Sequence, residues 1–581
     1  MNIETIRHSL AHIMAYALQE LHSGIKFGIG PAIENGFYYD FSIQIPKEEL
    51  PKIEKKMREL INRNIVFKKK LVSKQEAKKI FKNQPYKLEL ISELPGKKVS
   101  VYESGEFIDL CKGPQIKSTL QLRSGQTKEI INSFKLTKVA GAYWKGDEKN
   151  KMLTRIYGIA FETKKELDDY LKLRAEAEKR DHRILGKKLD LFVFSDLVGK
   201  GLPLYTEKGS VIRRELERFV VNEEIKRGYK HVYTPDLAKV DLYKKSGHYP
   251  YYKDTMYPVM KIDEDELILR PMACPHHYQL YSSKQHSYKE LPFRIAELAK
   301  QFRYEKSGEL SGLTRVRMFC LADAHIICQK EKAYEEINNV LDLIEFSASA
   351  LGLEKDFRYR LSLGDRKDKK KYYKDDKAWD FAENILRSIL KKRNVPFFEA
   401  EKEAAFYGPK IDIQMKNFIG KEETAFTVQY DFIAPKRFEL FYIDKDGSKK
   451  EPVVIHRSSI GAIERTIAFL LEKYEGALPL WLSPVQAWII PVGSSHQKYA
   501  QEVYKQLLSL RIRAEIQNDD ETVSKKIRNG EIQKIPYLLV VGDKEIKANS
   551  VAVRKRGKDN IETIKLNKFI ENIIKEIETK A

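Results

Sequence analysis

Arg303 and Glu305 in Phe302-Arg303-Tyr304-Glu305, and Arg315 in Thr314-Arg315-Val316-Arg317-Met318-Phe319, flank a Gly/Ser-containing loop at residues 306–313. Two extended segments joined by such a loop could hold a triphosphate, because guanidinium stays charged and grips phosphate oxygens bidentately. An ordinary hairpin with surface arginines would read the same way. Cys274, His325 and His456 are metal-ligand types, but they stand too far apart in the chain for spacing to define a site. The nearer pair, Cys274 and His277, makes only a C-x-x-H. His8-x-x-x-His12 places two imidazoles one helical turn apart, suited to a metal or to a general base. Arg554-Lys555-Arg556 suits either contact with an RNA backbone or a solvated basic edge.

These residues need elements to hold them. Residues 1–165 read as an α+β unit whose opening helix has Ile6, Leu10, Ile13 and Ala17 on one face. Residues 164–188, highly charged with Leu167, Leu171 and Ala175 spaced along them, read as one connecting helix. Strands are expected at 294–305, 314–328, 410–415, 424–433, 438–442 and 453–457, with a helix around Ile337, Val340, Leu341 and Ile344. That succession suggests an antiparallel sheet flanked by helices. From residue 485 the pattern alternates. Strands are expected at 487–492, 511–517, 536–541 and 550–556, and helices at 497–510, 523–529 and 566–578, in a mostly parallel sheet.

The 581 residues exceed what one core organises, and 42% apolar content marks a globular chain of several domains. The net charge of +22, spread along the chain, favours a large polyanion such as nucleic acid. Four cysteines without framework spacing suit a reducing, cytoplasmic setting. No signal-like segment opens the chain, and the longest apolar stretch, 478–492, is interrupted by Pro484, Gln486 and Pro491, so no membrane span is expected.

Pro235 after Val232-Tyr233-Thr234, the two-arginine arm, and Gly461-Ala462-Ile463-Glu464-Arg465 opening an apolar helical run resemble, in order, motifs 1, 2 and 3 of class II aminoacyl-tRNA synthetases. The segments at 270–275, 323–325, 406–410, 428–432 and 455–457 resemble the threonyl-tRNA synthetase family more closely, from about His8 to the C-terminal end. No H-I-G-H or K-M-S-K-S stretch of the class I enzymes is present. The resemblance implies an α+β multidomain protein: an editing domain at 1–163, a connecting helix at 164–188, a class II catalytic domain at 189–483 and an α/β anticodon-binding domain at 484–581. It is similar to bacterial members, without the small extra N-terminal domain of many relatives.

The same resemblance implies a threonine–tRNA ligase acting on L-threonine, ATP and tRNA(Thr), as a homodimer. It implies one zinc per subunit on Cys274, His325 and His456, and Mg2+ with the ATP. Arg303, Glu305, Arg315 and Arg465 match the catalytic positions, and Asp323, Tyr407, Lys410 and Gln429 those around the amino acid. His8, His12, Lys87, Asp109 and Cys111 match the editing domain, which hydrolyses seryl-tRNA made in error. Serine shares threonine's hydroxyl and is smaller, so a second sieve is needed. Glu545 and Arg554 match base-reading positions. The chain departs from the family at three places. Leu321-Ala322 stands where Gln-Asp is usual before Asp323. Gln115 replaces a histidine four residues after Cys111, which implies weakened editing and no tightly bound metal there. Asp520 replaces an expected Asn.

Overall fold

The computed structural model describes residues 2–122, 132–147, 149–354, 357–416, 422–558 and 560–580. These divide into two units, Met1–Ala175 and Glu176–Ala581.

In the first unit, the Asn2 side chain accepts from Glu4 N–H and starts helix Ile3–Leu21. The expected face is buried, but so are Ser9, Ala11, His12, Met14 and Ala15. The helix is enclosed because it packs on helix Leu50–Asn62 and on strands of two sheets. One sheet is antiparallel in the order Ala32–Ile33, Gly36–Phe41, Met152–Ala160, Phe134–Tyr143. The other joins Phe67–Ser73, Lys98–Ser104 and Phe107–Leu110, and its last strand delivers Asp109 and Cys111.

The expected connecting helix is two helices, Lys164–Arg180 and His182–Lys188. Asp181 interrupts it, its carboxylate accepting from Arg183 N–H to start the second.

The second unit is organised by an eight-stranded sheet. Its order is Lys230–His231, Phe293–Phe302, Met318–Cys328, Val453–Ala462, Glu422–Asp431, Lys410–Lys416, Phe357–Leu363, Phe397–Glu401. All pairings are antiparallel except the two at the edges. Helices Glu207–Lys226, Ala333–Ala350, Asp376–Lys392 and Ile463–Tyr474 contribute to its core. The strand expected at 438–442 is instead helix Ala434–Phe438, ended by Glu439 at φ 55° and followed by the short strand Tyr442–Ile443. Pro435 in its first turn suits a helix start, and the Asp431 carboxylate accepts from Ile433 and Ala434 N–H.

A five-stranded sheet follows, in the order Ala514–Ile516, Ala487–Pro491, Tyr537–Val541, Ser550–Lys555, Ile561–Lys565. Two pairings are parallel and two antiparallel, so "mostly parallel" is corrected to mixed. Helix Asp543–Ala548 and strand Ile561–Lys565 are additions to the elements expected from sequence. The strand is largely exposed at the sheet edge and lacks the apolar alternation that would reveal it.

Candidate functional site

Strand register assembles the main site. His325 lies opposite His456, His456 opposite Gln429, and Gln429 opposite Lys410. Directly opposed residues of an antiparallel pair share a face, so four strands present one row of polar side chains. A parallel row runs Glu297, Asp323, Ser458, Thr427, Asp412. Helix Cys274–Ser282 brings Cys274 to the same place, with Pro275 in its first turn. The cleft has a volume of about 540 Å³.

Cys274, His325 and His456 are buried, and their ligand atoms lie within 4.8 Å of one another. His325 Nδ1 meets His277 Nδ1 at 2.8 Å, and His277 Nε2 meets Glu297 Oε2 at 3.1 Å. His456 Nε2 meets Asp431 Oδ2 at 2.7 Å and the Tyr278 hydroxyl at 3.2 Å. Each imidazole thus has one ring nitrogen engaged and the other left for a ligand, the usual support of a metal-binding histidine. Burial pushes the His325 imidazole well below its ordinary range and the Cys274 thiol well above it. One sulfur and two imidazoles lining an open cleft fit a zinc-type cation with room for a further ligand.

Asp323 accepts from Gln301 Nε2 at 3.2 Å, and burial raises its carboxyl above the usual range. The Tyr407 hydroxyl donates to Gln429 Oε1 at 2.6 Å, and its ring stacks on His456 at 4.8 Å. Gly408 lets the chain turn there, since a Cβ would meet Tyr430 O at 1.7 Å. Lys410 stands in the row, but its ammonium is committed to Asp412 at 3.0 Å.

Residues 303–317 lie outside the two strands, which are shorter than expected, and form the arm between them. Arg303 enters the cleft with no side-chain hydrogen bond or ion pair among the described residues, 5.0 Å from the Phe319 ring centre. Arg315 pairs with Glu305 at 2.8 Å and Glu309 at 3.3 Å. Arg465 donates to Thr314 O at 3.2 Å and Thr424 O at 3.0 Å. A smaller hollow of about 190 Å³ joins Arg303, Glu305, Arg315 and Arg465. Sequence reasoning missed His248 and Gln301, both lining the main cleft. Gly247, at φ 82°, ends helix Val240–Ser246 and delivers His248, whose Nδ1 meets Ser246 Oγ at 2.8 Å. Burial pushes its pKa down to about 3. Ser246-Gly247-His248 was the available signal.

The first unit holds the second cluster. His8 Nε2 lies 3.4 Å from Cys111 Sγ, and His12 Nε2 lies 3.7 Å from Asp109 Oδ2. Lys87 Nζ reaches Asp109 Oδ1 at 2.5 Å and donates to the Tyr39 hydroxyl at 3.0 Å, which itself donates to Asp109 Oδ2 at 2.6 Å. Gln115 is part of this constellation: its Nε2 donates to Cys111 Sγ at 3.3 Å, and its Oε1 accepts from Ser9 Oγ at 2.6 Å. Burial lowers His8, lowers His12 to about 4 and raises the Cys111 thiol. The set is therefore neutral imidazoles and a protonated thiol beside an ion pair.

Glu545 caps helix Asp543–Ala548, accepting from Gly542 N–H at 3.0 Å. Arg554 pairs with Glu531 at 2.7 Å at a surface hollow that also includes Lys534, Lys555 and Lys558. No hydrogen bond or ion pair joins Glu545 to Arg554 among the described residues. Asp520 is exposed.

Three family models match: the class II tRNA synthetase core domain (G, H, P, S and T) over 257–474, the anticodon binding domain over 486–576, and the threonyl and alanyl tRNA synthetase second additional domain over 99–157. The threonine–tRNA ligase of Anoxybacillus flavithermus is 49% identical over 581 residues, covering 99% of this chain and 89% of that protein. That of Staphylococcus carnosus is 49% identical over 583 residues, covering 100% and 89%. The structure of the RNA binding domain of threonyl-tRNA synthetase from Cryptosporidium parvum Iowa II superposes with a TM-score of 0.65 at 35% identity, covering 68% of this chain and 98% of that one. With the two-arginine arm, the Cys/His cluster and full-length similarity of this order, the chain belongs to the threonine–tRNA ligase family of class II aminoacyl-tRNA synthetases.

Proposed function

We propose that the chain works as a threonine–tRNA ligase through the cleft of its second unit. It joins L-threonine to ATP as threonyl-adenylate and then transfers threonine to the 3′-terminal adenosine of tRNA(Thr). The observation that carries this reading is one cleft holding both the uncommitted Arg303 and the Cys274/His325/His456 cluster. Arg303 takes the α-phosphate while the threonine carboxylate attacks phosphorus and diphosphate leaves. Arg465 takes the γ-phosphate end. Glu305 and Arg315 exchange their mutual pair for the nucleotide, which arrives with Mg2+. The step needs charge neutralisation and alignment rather than a covalent catalyst.

Cys274, His325 and His456 would hold a single zinc, which when bound supplies a Lewis-acidic position for the amino and hydroxyl groups of threonine. Asp323, Tyr407, Lys410 and Gln429 surround the amino acid, with Asp323 as acceptor for the hydroxyl. Valine lacks that hydroxyl, and a site built to bind one rejects the analogue strongly. Serine keeps it, so a second site must remove the product. The His8, His12, Lys87, Asp109 and Cys111 cluster hydrolyses seryl-tRNA(Thr), an activity weakened by Gln115. Glu545 and Arg554 contact the tRNA. The fully exposed Leu197 and Tyr233 support a second copy as partner. Four free cysteines support a cytoplasmic site of action. No helix among the described residues is long and apolar enough to cross a membrane.

The test is amino-acid-dependent ATP–diphosphate exchange across the standard amino acids. Exchange should depend on threonine, and Arg303→Ala should abolish it in protein that remains folded. Exchange driven by another amino acid, or unaffected by Arg303→Ala, would overturn the assignment.

A further inference from the structure

Gln301 sits near the end of strand Phe293–Phe302, opposite Phe319 of strand Met318–Cys328. Residues two positions along from a cross-strand partner are diagonal neighbours on the same face. Leu321 is that neighbour, and Asp323 follows it on the same face. All three line the cleft. Gln301 is 1% exposed. Its Nε2 donates to Asp323 Oδ2 at 3.2 Å, while its Oε1 is buried without a hydrogen-bond partner among the described residues.

A buried amide oxygen left unpaired is costly and calls for an explanation. The orientation of the amide is fixed by its neighbour: turning it over would set an oxygen against the Asp323 carboxylate. The unmatched acceptor therefore lies beside the residue that orients the substrate. Leu321 has no polar atom to offer, at the position where the family resemblance places an amide.

We infer that Gln301 is a specificity-determining residue for threonine: its Nε2 fixes Asp323, and its Oε1 accepts from the substrate's ammonium or hydroxyl group. The amide missing at 321 is supplied from the neighbouring strand. The inference rests on reading the cleft as the threonine site.

The test is threonine-dependent ATP–diphosphate exchange by wild type, Gln301→Met and the double variant Gln301→Met/Leu321→Gln. Methionine keeps the length of glutamine and removes both polar atoms of its amide. Gln301→Met should raise the KM for threonine by about tenfold or more, leave the KM for ATP within about twofold, and leave the thermal midpoint unchanged. Leu321→Gln in the double variant should recover most of the loss. Should Gln301→Met fail to fold, Gln301→Asn takes its place: it keeps the amide but withdraws it by one methylene, and the threonine KM should still rise. An unchanged KM for threonine, or equal rises for threonine and ATP, would overturn the role of Gln301 while leaving the ligase reading intact. No threonine-dependent exchange in the wild type would overturn both.

Discussion

His277 stands between His325 and Glu297, and proton placement follows from that order. For His325 to offer Nε2 as a ligand, its Nδ1 must carry the proton and donate to His277 Nδ1. His277 must then be protonated on Nε2 and donate to Glu297. Burial alone would raise the Glu297 carboxyl, but hydrogen bonds from His277 and Thr234 and the charge of Arg270 hold it at about 2. The chain of bonds ends on a fixed anion, which sets the tautomer of both rings. His277→Ala or Glu297→Gln should therefore weaken zinc retention by roughly 10- to 100-fold, measured by competition with a chelator. Unchanged retention would reduce the relay to packing. In the first unit, His12 is neutral at pH 7, because burial outweighs the attraction of Asp109 and leaves it at about 4. Lowering the pH should protonate the unfolded chain's histidine first, near 6.5, so its contribution to stability falls between about 6.5 and 4 and is constant above. A His12 ring signal titrating near 6.5 in the intact chain would contradict this. Gln115 touches Cys111 Sγ but cannot carry a proton as histidine does. Gln115→His should raise hydrolysis of pre-formed seryl-tRNA, and equal rates would make the substitution silent.

The elements place these residues by a few backbone devices. Asp431 accepts from the start of helix Ala434–Phe438 with one oxygen and meets His456 with the other. A helix start and an imidazole orientation thus share one carboxylate. Gly461, at φ 72°, joins strand Val453–Ala462 to the helix carrying Arg465, and a Cβ there would meet Ala425 O at 2.4 Å. Gly461→Ala should cost about 1–3 kcal/mol of stability and displace Arg465. A thermal midpoint and ATP KM equal to wild type would show that the junction relaxes freely. The sequence allowed the strands flanking the arm to be read because their apolar patterns are long. It also exposed the Cys/His set through family wording, though not through spacing. His325, His456 and Gln429 become neighbours only through sheet register, which no single segment encodes. The 438–442 error has the same origin: Phe438, Leu440 and Tyr442 alternate as a strand would, but Asp431 and Pro435 nucleate a helix first. Gln301 directly precedes the Phe302-Arg303-Tyr304-Glu305 segment yet escaped notice, because its meaning lies in the strand beside it, where it meets Asp323.

For the whole molecule, the excess of positive charge is the property that most directly concerns tRNA. A net charge of +22 makes encounter with a polyanion fast and dependent on salt. The reactive cleft and Arg554 belong to different sheets, the first to the eight-stranded one and the second to the five-stranded one. Contact with RNA at Arg554 should therefore affect charging without altering the chemistry of activation. Arg554 is held by Glu531, so the proposed RNA contact would have to compete with that pair, a modest cost for a partly exposed ion pair. Arg554→Ala should weaken aminoacylation of tRNA and leave threonine-dependent ATP–diphosphate exchange at the wild-type rate. If Arg554 meets a phosphate, the slope of log binding constant against log salt should fall by about one. If it reads a base, the slope should hold while discrimination between tRNAs declines. Equal losses in charging and exchange would show that residue 554 supports the fold of the second unit rather than recognition.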